Sequence, residues 1–445
     1  MSFNTIVDTI NDYLWGYILV FLLVGTGLYF SIRLRFPQVR QIKRGFKQTF
    51  GGLFNKDVEA DKDGMSSFQA LATAIAAQVG TGNLAGVATA IASGGPGAIF
   101  WMWVSAFFGM GTIFGEAVLA QTYTDRIDGE ITGGPAYYIS KGLNNKALAA
   151  FFSVAIIIAL GFVGNMVQSN SMATAINNAF HIPKFIIGIA IAILAALILV
   201  GGMTRIASFT ELVVPFMALI YIIGGLVIII RNASHIGPAF RMIFQGAFSS
   251  KAVGGGVLGV TAKEAVRFGI SRGLFSNEAG MGSTPHAHAV AKVDHPAEQG
   301  LVAMVGVIFD TMIICTLTAL IILTTDAHTT GTTGAEMTQL AFATGLGKYG
   351  SPFIAISLFF FAFSTVIGWY FFGEANIKYL FGKGGVRYYR WIVFGFIILG
   401  SFLEVQLVWD IADMCNGIMV FPNLIALFAL SPVVIKSLKD YESKI

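Results

Sequence analysis

Apolar runs long enough to cross a lipid bilayer follow one another along nearly the whole chain. A helix needs about 20 mostly apolar residues to span a ~30 Å hydrocarbon core. Ten segments meet that length, at roughly 14–32, 67–92, 97–121, 148–177, 184–201, 208–230, 299–324, 352–377, 390–407 and 411–435. An eleventh stretch, about 260–293, is too polar for hydropathy alone, with Lys263, Glu264, Arg267, Arg272, Asn277, Glu278 and His286. The first half of the chain holds a related irregularity. Gln78-Val79-Gly80-Thr81-Gly82-Asn83 interrupts an apolar run at about 68–91. Two glycines, a threonine and two carboxamides weaken a helix where lipid offers no water to the backbone, and such a break is tolerated only if buried in protein or lining a polar cavity.

Charge decides how many runs cross. Cytoplasmic loops carry the excess of Lys and Arg, and between Arg33 and Lys47 stand six basic residues and no acid. With that loop inside, the loops around Arg126 and Lys141, around Arg205, at Lys378–Arg390 and at Lys436–Lys439 all fall inside only if the 260–293 stretch crosses once. Eleven crossings follow, with the N-terminus outside and the C-terminus cytoplasmic. The expected architecture is an all-α polytopic membrane protein: a leading helix with its basic loop (1–48), two sets of five helices (66–232 and 256–436) joined by an outer loop (233–255), and a cytoplasmic tail (437–445). Each set opens on a helix broken by glycines, a plan that secondary transporters use with inverted halves.

Composition supports this class. Hydrophobic residues make up 55% and charged residues 12%, about half the charge of a soluble domain. The 52 glycines permit close helix contact in lipid. Cys315 and Cys415 both lie in apolar runs, so neither a disulfide framework nor a zinc site is expected. Met1–Asn11 has no basic n-region, so the first apolar run is read as a retained helix.

The candidate chemistry gathers at the breaks. An outer half-helix starting near Thr81–Leu84 presents free N–H groups and a positive dipole end suited to a carboxylate. Carbonyls ending the inner half, around Ala76–Val79, suit a hard cation such as Na⁺. A glycine kink for packing is the plainer alternative, but it leaves Gln78, Thr81 and Asn83 unexplained. The second break offers Ser276, Asn277, Glu278, Gly280 and Gly282; an intramembrane carboxylate such as Glu278 binds a cation, relays a proton or pins the break. Glu116 and Asp310 are the deepest of the other acids, and interhelical anchoring is the plainer role for each. Glu404, Asp410 and Asp413 fall at the outer interface. Ser364-Thr365 either bonds back to its own helix or completes an oxygen shell with the freed carbonyls. Trp369 caps a small pocket or packs in the core. Asn165 and Gln168 share a helix face, which favours a cavity. His286-x-His288 reads as a surface pair, and the amphipathic stretch Glu336–Thr344 as a lid or an ordinary surface helix. Walker A, dinucleotide and hydrolase patterns are absent from the sequence, as is any charged ring or pore filter.

Three motifs then carry a resemblance. Gly94-Gly95-Pro96-Gly97-Ala98-Ile99-Phe100-Trp101-Met102-Trp103-Val104-Ser105-Ala106-Phe107-Phe108-Gly109 resembles the signature of the alanine or glycine:cation symporters. Gly273-Leu274-Phe275-Ser276-Asn277-Glu278-Ala279-Gly280-Met281-Gly282 and Thr132-Gly133-Gly134-Pro135 look like the same family, and the resemblance runs from about residue 10 to 436. It implies the fold of the amino acid–polyamine–cation superfamily and Na⁺- or H⁺-coupled uptake of alanine and glycine. Na⁺ is the expected coupling ion with H⁺ as the alternative, no other cofactor is expected, and the expected partners of a monomer are amino acid and lipid rather than nucleic acid. The superfamily's leucine transporter has a similar Gly-x-Gly-Asn break, matching Gly80–Asn83. That similarity places Gln78, Gly80, Thr81 and Gly82 at the substrate carboxylate and Trp369 at the pocket wall. Gln168, the Phe275 carbonyl and Asn277 remain candidates for the amino group, with Ser276 and Gly280 beside them. It places Ala76, Val79, Ser364 and Thr365 at a sodium site, with Asn83 and Asp310 left as an open second site.

Overall fold

The computed structural model describes residues 3–51, 60–248, 262–403 and 405–444. Seven described helices are long and apolar enough to cross a bilayer: α1 (Thr5–Arg33), Ala98–Thr122, Lys146–Phe180, Gly202–Arg231, Pro296–Thr324, the long run Gly334–Phe381 and Val408–Ala429. A bent pair, α2 (Ser67–Gln78) and α3 (Gly82–Gly94), makes an eighth if counted as one span; its halves meet at 49°. Further along come α4 (Ala98–Thr122), α5 (Lys146–Phe180), α6 (Lys184–Leu199) and α7 (Gly202–Arg231). The second half holds α8 (Ala262–Asn277), the short α9 (Pro285–Ala289) and α10 (Pro296–Thr324). It ends with α11 (Gly334–Leu346), α12 (Gly350–Phe381), α13 (Lys383–Phe402) and α14 (Val405–Ala429).

Helix starts follow their caps. Ser66 and Gln69 form a reciprocal capping box that begins α2, and the Asn145 side chain accepts the Leu148 N–H at the start of α5. Helix α4 packs along α8 and α10, while α5 and α6 pack against α12 and α13, so the broken helices lie between two helical groups. The outer surfaces are apolar: Phe21, Leu212 and Ile230 are each more than 70% exposed. Water would not tolerate so much exposed apolar surface, and lipid would.

The face bearing the basic loops is tied shut. Met65–Ser66 pairs in parallel with Ala291–Lys292, which joins the ends of α2 and α9. Lys292 bonds Asp61 at 2.9 Å and holds that carboxyl below its usual range. Arg126 reaches Asp63 at 2.7 Å, and the Ile131 N–H donates to the Lys62 carbonyl at 2.9 Å.

Several expectations change here. The leading helix starts well before residue 14, because the amphipathic stretch Phe3–Tyr13 continues into it through a wide turn at Leu14–Ile18. His286 and His288 are each only 1% exposed and are not a surface pair. The His286 Nδ1–H donates to the Ser283 carbonyl at 2.6 Å, its Nε2 accepts from Asn376 at 2.8 Å, and its ring stacks with Phe152 and Phe372. Half of the 233–255 loop is a helix, Ile236–Phe248, packed on α4. Gly254–Gly256 and Glu404 lie outside the described residues.

Candidate functional site

The two breaks face each other at the centre of the helical groups. The Gln78 amide donates to the Asn277 carbonyl at 2.6 Å, joining the end of α2 to the end of α8. A Cβ on Gly82 would stand 3.1 Å from the Ser276 Cα, so a larger residue there would push the two breaks apart by a few tenths of an ångström. Gly80 lies where three elements converge: a side chain there would run into the Thr365 hydroxyl and stand 3.3 Å from Gln168 Oε1. Asn83 accepts the Gly80 N–H at 2.8 Å, which replaces a helical bond lost at the break. Gln168 accepts from the Thr81 N–H at 3.4 Å and donates to the Thr81 hydroxyl at 3.1 Å.

The carbonyl pole lies on the other side of the same break. The Thr365 hydroxyl is 3.0 Å from the Ala76 carbonyl, and the Ser364 hydroxyl 3.4 Å. Both hydroxyls also reach the Phe361 carbonyl of their own helix, at 3.0 and 2.9 Å. Ala76, Ser364 and Thr365 are thus brought together. Val79 ends the same half-helix, but neither hydroxyl bonds its carbonyl.

Asn83 and Asp310 also meet. Asn83 Nδ2 donates to Asp310 Oδ1 at 2.6 Å, Ser276 Oγ donates at 3.0 Å, and Thr311 Oγ1 reaches Oδ2 at 2.7 Å. Asp310 sits in a wide helical turn, Ile308–Cys315, a distortion often found at functional sites.

The second break is held by carboxylates. Glu116 Oε2 accepts the Gly280 N–H at 3.0 Å, and Oε1 accepts the Gly282 N–H at 2.9 Å and the Asn423 amide at 2.7 Å. Gly280 and Gly282 have φ of +88° and +79°, open to glycine alone at little cost. Glu278 adopts φ +58°, a strained conformation for its residue type. Its carboxylate accepts the Trp369 indole N–H at 2.6 Å and the Ser283 hydroxyl. Glu278 therefore pins a side chain from α12 rather than the break's own amides; Glu116 takes those. Gly280 has its amide turned to Glu116, away from the first break. Asn277 is likewise engaged, accepting the Ala279 N–H at 3.1 Å and donating to Thr311 at 3.1 Å.

Trp369 fills the space beside Gly164, where a Cβ would strike its ring, and stands edge-on to Phe275 at 6.4 Å. Above Phe275 a cavity of about 670 Å³ opens away from the basic-loop face. Arg272 and Asp413 line it as a bidentate pair at 2.9 and 2.7 Å, and the Trp409 ring lies 5.6 Å from Phe275, tilted by 42°. Helix α11 docks beside the cavity, Thr338 donating to the Leu84 carbonyl at 2.9 Å.

Sequence reasoning missed Asn423 and Asn376, and it gave Glu116 an anchoring role without its partners. A signal existed for Glu116: two glycine N–H groups freed in a dry break need an acceptor, and a deep carboxylate supplies one.

Broken helices meeting at a buried polar centre, within helices whose outer faces are apolar, define a multi-pass membrane protein of the transporter type. The profile of the sodium:alanine symporter family matches residues 1–445, and the chain belongs to that family. It is 44% identical to a sodium/alanine symporter of Methanococcus maripaludis, over 99% of this chain and 98% of the relative. It is 43% identical to a probable sodium/glutamine symporter of Bacillus subtilis, over 98% of this chain and 90% of the relative. The crystal structure of a manganese transporter from Eremococcus coleocola shares the fold, with a TM-score of 0.52 and 14% identity over 84% of this chain and 78% of that one.

Proposed function

We propose that this chain is a Na⁺-coupled symporter of small neutral amino acids, alanine and glycine, in the cell membrane. Its eleven crossings would form one leading helix and two inverted sets of five, with α2–α3 and α8–α9 as their broken first helices. The membership of the family supports the cation and the amino acid. The observation that carries the reading is the first break and its partners: the Ala76 carbonyl meets the Ser364 and Thr365 hydroxyls, while Thr81 meets Gln168 and Gln78 meets the Asn277 carbonyl.

The substrate carboxylate would meet the amides of Thr81 and Gly82, aided by the dipole of α3. Gln168 Oε1 and the Phe275 carbonyl would accept from the amino group. The Trp369 ring would leave room for a methyl side chain or a hydrogen only, which favours alanine and glycine over the glutamine in one relative's name. Na⁺ would bind the Ala76 and Val79 carbonyls with the Ser364 and Thr365 hydroxyls. An outward-facing state would fit the open cavity beside Phe275 and the pairing of Met65–Ser66 with Ala291–Lys292. Alternating access would swing the α2–α3 and α8–α9 elements against α5 and α12.

One observation favours a second reading. Asp310 and Glu278 are buried without a Lys or Arg partner among the described residues, and each meets a hydroxyl, Thr311 or Ser283, that can accept a carboxyl proton. Calorimetry separates the two. Alanine binding that tightens with Na⁺ at fixed pH supports Na⁺ coupling. Binding indifferent to Na⁺ and dependent on pH would replace it with proton coupling.

A further inference from the structure

At the basic-loop edge, away from the central site, a groove of about 810 Å³ lies between the corner joining α6 to α7, the end of α12 and the start of α13. Five basic side chains line it, Lys62, Lys378, Lys383, Arg387 and Arg390, against three acids. The acids are all engaged. Glu130 holds Lys378 at 3.0 Å and Lys383 at 2.9 Å, Glu374 holds Lys378 at 2.9 Å, and Asp61 holds Lys292. Lys62 and Arg387 are exposed and have neither an ion pair nor a side-chain hydrogen bond among the described residues. Arg390 uses only its Nε, toward the Tyr370 hydroxyl at 3.3 Å. An uncompensated positive charge thus points into a groove that already has walls.

The groove's neighbours are apolar and outward-facing. Trp391 and Phe381 are each 68% exposed and Tyr388 73%, side chains suited to the headgroup level of a bilayer. Val200, 62% exposed, continues the surface toward the hydrocarbon. A ligand that fits both features has a negative headgroup and acyl chains. Guanidinium forks recognise phosphate oxygens two at a time, and basic pockets between helices at the cytoplasmic edge suit anionic lipid headgroups.

We propose that this groove binds the phosphate headgroup of an anionic phospholipid of the inner leaflet, with Arg387, Arg390 and Lys62 as its ligands. The leaflet's name rests on the orientation proposed above; the binding itself does not depend on transport.

Native mass spectrometry of the full chain in detergent tests this, with phosphatidylglycerol or phosphatidylcholine titrated in. The wild type should retain phosphatidylglycerol and release phosphatidylcholine. Lys62→Gln with Arg387→Gln should weaken phosphatidylglycerol binding roughly 30-fold, about fivefold per cation. Lys43→Gln with Lys47→Gln, an equal charge change at two exposed positions of the helix Ile42–Gly51, should leave it within about twofold. Equal losses in both variants would reduce the effect to general surface charge and overturn the site. Displacement of the lipid by millimolar inorganic phosphate would show a free-anion site and overturn the lipid assignment. Na⁺-driven alanine uptake measured on the same wild-type preparation keeps the two proposals apart: its absence would refute symport and leave the lipid result standing.

Discussion

Thr365→Val removes one hydroxyl at nearly constant shape. That oxygen lies 3.0 Å from the Ala76 carbonyl and 3.0 Å from the Phe361 carbonyl, and its single proton can serve only one of them. With the proton on the Phe361 carbonyl, the lone pairs are free for an ion held also by Ala76. Losing one polar contact to a charged partner costs about 1.5–3 kcal/mol. The half-saturating Na⁺ concentration for alanine uptake should therefore rise about 10- to 150-fold. At saturating Na⁺ the KM for alanine should return to within about twofold of wild type. If the hydroxyl only anchors its own helix, the substitution lowers stability by about 0.5–1.5 kcal/mol and leaves the Na⁺ dependence alone. Uptake by proteoliposomes over a range of external Na⁺, with thermal unfolding of the same preparations, separates these. A lowered melting temperature with an unchanged Na⁺ curve would refute the ion-ligand role.

Other consequences follow from the same geometry. Trp369→Ala should open the pocket beside Gly164 and admit bulkier neutral amino acids in competition binding; selectivity identical to wild type would remove Trp369 from the wall. Glu116→Gln sets an NH₂ against the Gly280 or Gly282 N–H, at about 1–3 kcal/mol for the donor left unpaired. A lowered thermal midpoint in detergent is expected, and an unchanged one would mean that the second break does not depend on this carboxylate. Asp61→Asn with Asp63→Asn removes two exposed ties on the basic-loop face, to Lys292 and to Arg126. A cysteine introduced at Thr284, with Cys315 and Cys415 replaced, should then react faster with an impermeant maleimide from the inside. Equal rates would mean that these ties do not hold that face shut.

Helix existence and the first break could be read from the chain because lipid leaves few options: long apolar runs must be helices, and glycines with carboxamides inside one must face protein or a cavity. The pairing of Ser364 and Thr365 with carbonyls of the first break was expected, while Gln78 meeting Asn277 was not. What sequence could not show was direction. Glu278 was open to an ion, a proton or the amides of its own break, and its carboxylate instead accepts from Trp369 and Ser283. The same limit applies to His286, whose polarity suggested a surface until Phe152, Phe372 and Asn376 enclosed it. Glu116 sits far from the second break in sequence, and only the packing of α4 on α8 brings them together.

Alanine accumulation in proteoliposomes under an imposed Na⁺ gradient tests the central claim most directly. Inward Na⁺ should drive uptake above the equilibrium level, and collapsing the gradient should release the alanine. Equilibration without accumulation, indifferent to Na⁺, would contradict coupled transport through this site.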